Sequence, residues 1–161
     1  VGRRLFTPAH PLRSAYCSGK PREVRQVKLY THLNFGGNCE EAFRFYEQHL
    51  GGKITVMMKA SQLPPGVQAP GSADAVIHAR MNIAGVELIG NDVPPENFGP
   101  VRSSYLYLSL DSPEEADRIY NLLEENGKVG MPMAETFFAT RFAQLRDRFG
   151  TLWTIISEKP R

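Results

Sequence analysis

Three short stretches of this chain place hydrogen-bonding side chains at every second position: Tyr30, His32 and Asn34; His78, Arg80 and Asn82; Tyr105, Tyr107 and Ser109. The residues between them are mostly apolar: Leu29, Leu33 and Phe35; Ala75, Ile77, Ala79 and Met81; Leu106, Leu108 and Leu110. Alternation of that kind belongs to a strand with one packed face and one open face, and it puts Val76 on the open side with His78. Imidazole exchanges a proton near neutral pH, phenol and amide groups orient a substrate, and guanidinium holds an oxyanion. A concave sheet carrying them would be a small-molecule site. His32, His78 and Tyr105 are its catalytic candidates, and Asn34, Arg80 and Tyr107 its candidate ligand contacts. The competing reading is structural. A lone strand histidine is more often a hydrogen-bonded support than a reactive group, and a flat sheet would turn the same residues to solvent or to a partner chain.

Other reactive types are weaker candidates. Cys39 stands at the start of a helix, where the helix dipole favours thiolate, but Glu40 and Glu41 beside it oppose that effect. Asp147 precedes Arg148-Phe149-Gly150 and reads as a turn residue rather than an acid catalyst. No Gly-rich phosphate loop, serine elbow, paired-cysteine zinc pattern or H-E-x-x-H motif is present in the sequence.

The elements that must carry these residues come in two copies. Glu40-Glu41-Ala42-x-Arg44-x-Tyr46 returns as Glu114-Glu115-Ala116-x-Arg118-x-Tyr120, and each copy runs on to a Gly-Lys step, Gly52-Lys53 and Gly127-Lys128. A repeated unit of this length is a supersecondary module that stacks on its twin. Asn38 with Glu41, and Ser112 with Glu115, have capping-box spacing, and Pro113 suits a first helical position. The spacing predicts helices over 39–50 and 113–125. It predicts strands over 28–35, 53–59, 75–83, 86–91, 104–110, 128–134, 141–146 and 152–157, with a hairpin turn at Ala84-Gly85 and a loop at 60–72. Each half therefore reads strand-helix-strand-strand-strand, an α+β arrangement of two tandem βαβββ modules, about 27–92 and 103–158, joined by a linker at 92–102.

Composition sets outer limits. At 161 residues and 42% hydrophobic content, with no apolar run of membrane-spanning length, the chain suits a globular domain over 27–158 with a short tail at 159–161. Residues 1–26 hold six basic residues against Glu23 alone, so the rest of the chain is net acidic although the whole carries +2. That segment, rich in Pro and Gly, reads as a basic flexible extension, and the acidic domain argues against nucleic acid as a partner. Two cysteines, Cys17 and Cys39, are too few for a disulfide framework, which makes a reducing, cytoplasmic setting the expectation.

The run Leu33-Asn34-Phe35-Gly36-Gly37-Asn38-Cys39-Glu40-Glu41-Ala42-Phe43-Arg44-Phe45-Tyr46 belongs with four later pieces. These are His78-Ala79, Gly90-Asn91-Asp92, Met131-Pro132-Met133 and Asp147-Arg148-Phe149-Gly150-Thr151-Leu152-Trp153. Together they resemble the PhnB-like branch of the glyoxalase/bleomycin-resistance, or vicinal oxygen chelate, superfamily over residues 27–158. The resemblance implies eight strands forming a U-shaped cleft, a homodimer, and a small organic ligand. In metal-dependent relatives it implies ligands from strands one, four, five and eight. Those positions fall at His32, Glu87, Tyr105 and Thr154, of which only His32 and Glu87 are plausible donors. The cofactor is therefore unknown, and a divalent metal is left open without being expected. Where relatives carry an aromatic-Trp-Gly sequence, this chain has Phe137-Phe138-Ala139. Phe137, Phe138 and Trp153 become candidate ligand contacts, or else core or interface aromatics. Two functions follow: a binding module for a small metabolite, or a metal-dependent lyase, isomerase or dioxygenase-type enzyme.

Overall fold

Each copy of the repeated helix lies across a four-stranded sheet of its own. In the computed structural model, which describes residues 28–69 and 71–160, the basic segment 1–26 lies outside the described residues. The first module comprises β1 (Thr31–Phe35), α1 (Cys39–His49), β2 (Lys53–Lys59), β3 (Val76–Ile83) and β4 (Val86–Asp92). The second comprises β5 (Leu106–Ser109), α2 (Pro113–Glu124), β6 (Lys128–Ala134), β7 (Ala139–Arg146) and β8 (Leu152–Glu158). Strand orders are β1-β4-β3-β2 and β5-β8-β7-β6, each with its first strand parallel to its last and the remainder antiparallel. β1 and β5 are thus edge strands, and the eight expected strands form two sheets.

The helices sit where the apolar stripes require. Ala42, Phe43 and Tyr46 of α1, and Ala116, Ile119 and Leu123 of α2, join Phe35, Ala79, Met81, Leu88, Leu145, Trp153 and Ile155 in one buried cluster that spans both modules. Gly90 lets α1 descend onto β4: a Cβ there would stand 2.5 Å from the Phe43 ring and 3.2 Å from the Cys39 sulfur. Gly90→Ala should therefore cost about 1–3 kcal/mol by overpacking, read as a lower urea midpoint at unchanged m-value.

The first helix is capped differently from expectation. Asn38 makes no side-chain cap, because its backbone (φ −123°, ψ 23°) lacks the extended form a capping residue takes. Asp92, at the end of β4, supplies the cap from a distance: its Oδ1 accepts from Gly37 N at 3.0 Å and Cys39 N at 2.9 Å. Its Oδ2 accepts from Val76 N at 2.8 Å, so one carboxylate ties β4 to α1 and to the start of β3. In α2, Ser112 caps as expected, accepting from Glu115 N at 3.2 Å, but Glu115 turns to Arg118 instead of completing the box.

The β3 alternation breaks at its start. The register passes from Met58↔His78 to Lys59↔Val76, a bulge that leaves Ile77 without a partner and sends Val76 into the core. The Ala84-Gly85 turn forms with both residues at positive φ (49° and 81°), the conformation a two-residue hairpin demands, and Asn82 Oδ1 accepts from Gly85 N.

Candidate functional site

The face of the first sheet turned away from α1 holds most of the candidate residues. His32 and Arg80 are both registered opposite Ile89, on either side of it, while Asn34 is opposite Asn91 and Asn82 opposite Glu87. Val56 and Met58 of β2, opposite Arg80 and His78, complete the surface at its far edge. Leu33, Phe35, Leu88, Ala79 and Met81 take the other face. The helix claims one side of each strand, and the polar set is left on the other.

Those polar groups are organised in pairs. Arg80 donates from Nη1 to Glu87 Oε1 at 2.8 Å and from Nε to His78 Nε2 at 3.2 Å, and its guanidinium lies 5.9 Å from the centre of the Tyr30 ring. His32 Nε2 is hydrogen-bonded to Asn91 Oδ1. Asn91 donates from Nδ2 to the carbonyl of Asp92 at 3.0 Å. His32 and Asn34 are exposed, and Ile89, Arg80 and Glu87 are half-buried. The Arg80–Glu87 pair links two hairpin strands, and the Ala84-Gly85 turn fixes that register from sequence alone. Asn91 carries no comparable sequence signal: its role depends on β1 lying parallel beside β4.

The second sheet presents a different outward face. Tyr107 is opposite Thr154, Thr154 is opposite Gln144, and Gln144 is opposite Met131. Gln144 donates to Thr154 at 3.2 Å, and Thr154 is 4% exposed. Tyr105 and Tyr107 stand open, beside a groove of about 310 Å³ between β5 and the β3–β4 hairpin. Phe137, Phe138 and Phe142 form an edge-to-face series with centroids 4.9 and 5.3 Å apart, and Phe137 is 93% exposed. A second groove, of about 250 Å³, runs between β1 and the β5–β8 end of the second sheet and includes His32, Asn34, Phe98 and Leu152. A larger groove, about 650 Å³, lies over α1 away from these residues. There Glu40 is paired with Lys59 at 2.7 Å and with Arg44 at 3.2 Å, as is common on a solvated helix face.

Two residues need correction. Trp153 is 1% exposed, with its ring 5.3 Å from that of Tyr46 and its indole N–H donating to Asp147 Oδ2 at 2.8 Å. It is a core residue, because odd-numbered positions of β8 face the helix layer. Asp147 is more than a turn residue. It is 3% exposed and accepts from Tyr46 Oη (2.6 Å), Trp153 Nε1 (2.8 Å), and the backbone N–H groups of Phe149 and Thr151 (both 2.9 Å). Burial pushes its carboxyl above the usual range against the pull of those donors. Burial, with Asp147, also holds the Tyr46 phenol well above its usual range, so it stays protonated and donates. Cys39 is fully buried, and burial followed by Asp92 and Glu40 raises its thiol far from ionisation.

The four positions that the resemblance implies for a metal hold two plausible donors, His32 and Glu87. Glu87 is engaged by Arg80, whose positive charge opposes a divalent cation there, and Thr154 is buried in its own sheet. Among the described residues no group of three His, Cys, Asp or Glu side chains is placed to hold a metal ion.

Two βαβββ modules, each with a helix on one face of its sheet and a polar or aromatic surface on the other, define the glyoxalase/bleomycin-resistance fold. A glyoxylase/bleomycin resistance protein/dioxygenase domain from Frankia sp. EAN1pec shares that fold at TM-score 0.56 and 15% identity, over 84% of this chain and 99% of that one. The chain belongs to the PhnB-like family described as 3-demethylubiquinone-9 3-methyltransferase, whose model matches residues 27–156. It is 33% identical to Protein YjdN of Escherichia coli (strain K12), over 80% of this chain and 94% of that protein. A PhnB protein from Bacillus cereus, described as a putative 3-demethylubiquinone-9 3-methyltransferase, matches at TM-score 0.72 and 28% identity, over 81% of this chain and 99% of that one. Among the described residues no helix is long and apolar enough to cross a membrane.

Proposed function

We propose that this chain is a PhnB-like binding protein for a small organic metabolite, held on the outward face of the first sheet. The observation that carries the reading is the set of oriented polar groups around half-buried Ile89: His32 with Asn91 on one side, Arg80 with Glu87 and His78 on the other. The metal-dependent lyase, isomerase or dioxygenase reading is not favoured, since one histidine and one carboxylate already paired to arginine fall short of the three ligands a catalytic metal requires. The methyl transfer in the family description also draws no support from this face, which has no Gly-rich strand-to-helix turn to cradle a nucleoside cofactor.

A homodimer fits the same reading. Tyr107, Met131 and Phe137 are 57%, 46% and 93% exposed, an apolar series suited to cover by a second copy. The buried thiol of Cys39 suits a reducing compartment such as the cytoplasm.

The test is a metabolite screen by thermal shift, followed by calorimetry. Arg80→Ala should weaken the best ligand by about 1–3 kcal/mol, roughly fivefold or more, with circular dichroism unchanged. Equal binding by wild type, Arg80→Ala and His32→Ala would place the ligand elsewhere. Sedimentation should give twice the chain mass, and Phe137→Ala should raise the dimer dissociation constant.

A further inference from the structure

We propose that Asn91 is a positioning residue that fixes His32 as the proton acceptor of this face, with Nδ1 as the accepting atom. The inference rests on reading the outward face of the first sheet as the ligand site. Asp92 is the fixed point: its carboxylate accepts from Gly37, Cys39 and Val76, which ties the residue to both α1 and β3. Asn91 Nδ2 donates to that residue's carbonyl at 3.0 Å, and turning the amide over would set two carbonyl oxygens against each other. Oδ1 is therefore the atom facing His32 Nε2. An amide oxygen only accepts, so Nε2 carries the hydrogen and the lone pair of the neutral ring stands on Nδ1.

His78 cannot take this part. Its Nε2 accepts from Arg80 Nε at 3.2 Å, and a proton added there would meet another N–H. Arg80 itself is the natural counterpart. It flanks Ile89 opposite His32, the two backbones about 10 Å apart at ordinary strand spacing, room for a small molecule between the side chains. Arg80 gives Nε to His78 and Nη1 to Glu87, and among the described residues Nη2 has no hydrogen bond.

The step this permits is a proton transfer. A ligand O–H or N–H beside Nδ1 gives up its proton, and His32 becomes imidazolium while keeping Nε2–H on Asn91. The bonding electron pair stays on the ligand, whose new negative charge faces Arg80. The ligand class is a small acid carrying a proton donor next to an oxygen that guanidinium can hold, as in a hydroxy or enol acid.

The test is long-range nitrogen–proton NMR of the histidines in the full chain at about pH 8.5, above the ordinary imidazole range. Wild type should show His32 as a single Nε2–H tautomer. Asn91→Leu, similar in branching but without an acceptor, should lose that signature and show an Nδ1–H population. Asn91→Asp, which keeps an acceptor, should retain it. A wild-type ring protonated on Nδ1, or an Asn91→Leu spectrum identical to wild type, overturns the assignment. If Asn91→Leu does not fold, the wild-type and Asn91→Asp spectra decide alone. The readout needs no ligand, so a failed metabolite screen would sink the binding reading and leave this result standing.

Discussion

Replacing Asp147 by alanine is expected to cost about 3–5 kcal/mol, a large fraction of the roughly 5–15 kcal/mol that holds a domain together. The carboxylate gathers donors from both modules. Tyr46 comes from α1 of the first, while the N–H groups of Phe149 and Thr151 come from the β7–β8 turn of the second and Trp153 from β8. Removing the acceptor leaves three buried donors, the Trp153 indole and the Phe149 and Thr151 N–H groups, with nothing to bond, while Tyr46 Oη keeps Thr151 Oγ1 at 3.0 Å; a desolvated N–H left unpaired costs about 1–3 kcal/mol. Tyr46→Phe removes one donor only, keeps the Thr151 hydroxyl beside the ring, and should cost about 1–2 kcal/mol. Urea unfolding measures both, and a loss below about 1 kcal/mol for Asp147→Ala would mean that water replaces the carboxylate. The pH dependence has a definite sign. Because the folded-state value is raised, the folded protein holds this proton longer than the unfolded chain does. The corresponding stability is fully present below the unfolded carboxyl range and is lost as pH rises through the raised value. The deficit of Asp147→Ala should therefore grow from neutral pH toward acid, and acid does not unlock the junction through this group.

Trp153→Ala is expected to be about as damaging, at about 3–5 kcal/mol, for the different reason that it opens a cavity. The indole is 1% exposed and packs edge-on against Tyr46 at 5.3 Å, between the two modules where neither helix alone can close the gap. Ligand binding per folded molecule should be unchanged, because the pairs around Ile89 lie on the opposite side of the first sheet. Trp153→Phe keeps most of the volume and should recover much of the stability, less the bond to Asp147. Calorimetry on the folded fraction separates the effects. Weakened binding with intact stability would return Trp153 to the ligand site.

These two residues mark where sequence reading stops. The repeat, the caps' positions and the two periodicities determined by themselves that there are two βαβββ modules. They also determined which face of each strand carries His32, Arg80 and Tyr107, because helical and strand periods are local properties written every second or every third to fourth residue. Boundaries shifted by one to three residues, the start of β1 most of all, and the β3 alternation failed only at Val76, where a bulge depends on the partner strand. What tertiary structure alone decided is which side chains meet across distance. The sequence pairs Tyr46 with Tyr120 as equivalents, yet only Tyr46 reaches Asp147, 101 residues away, because the modules pack with α1 against the β7–β8 turn. Asn38 looked like the cap, and Asp92 does the capping, because β4 ends beside β1. His32 was legible as a candidate, but its orientation by Asn91 was not. Periodicity assigns a residue to a face, and only the register between parallel strands separated by a helix and a hairpin assigns it a neighbour.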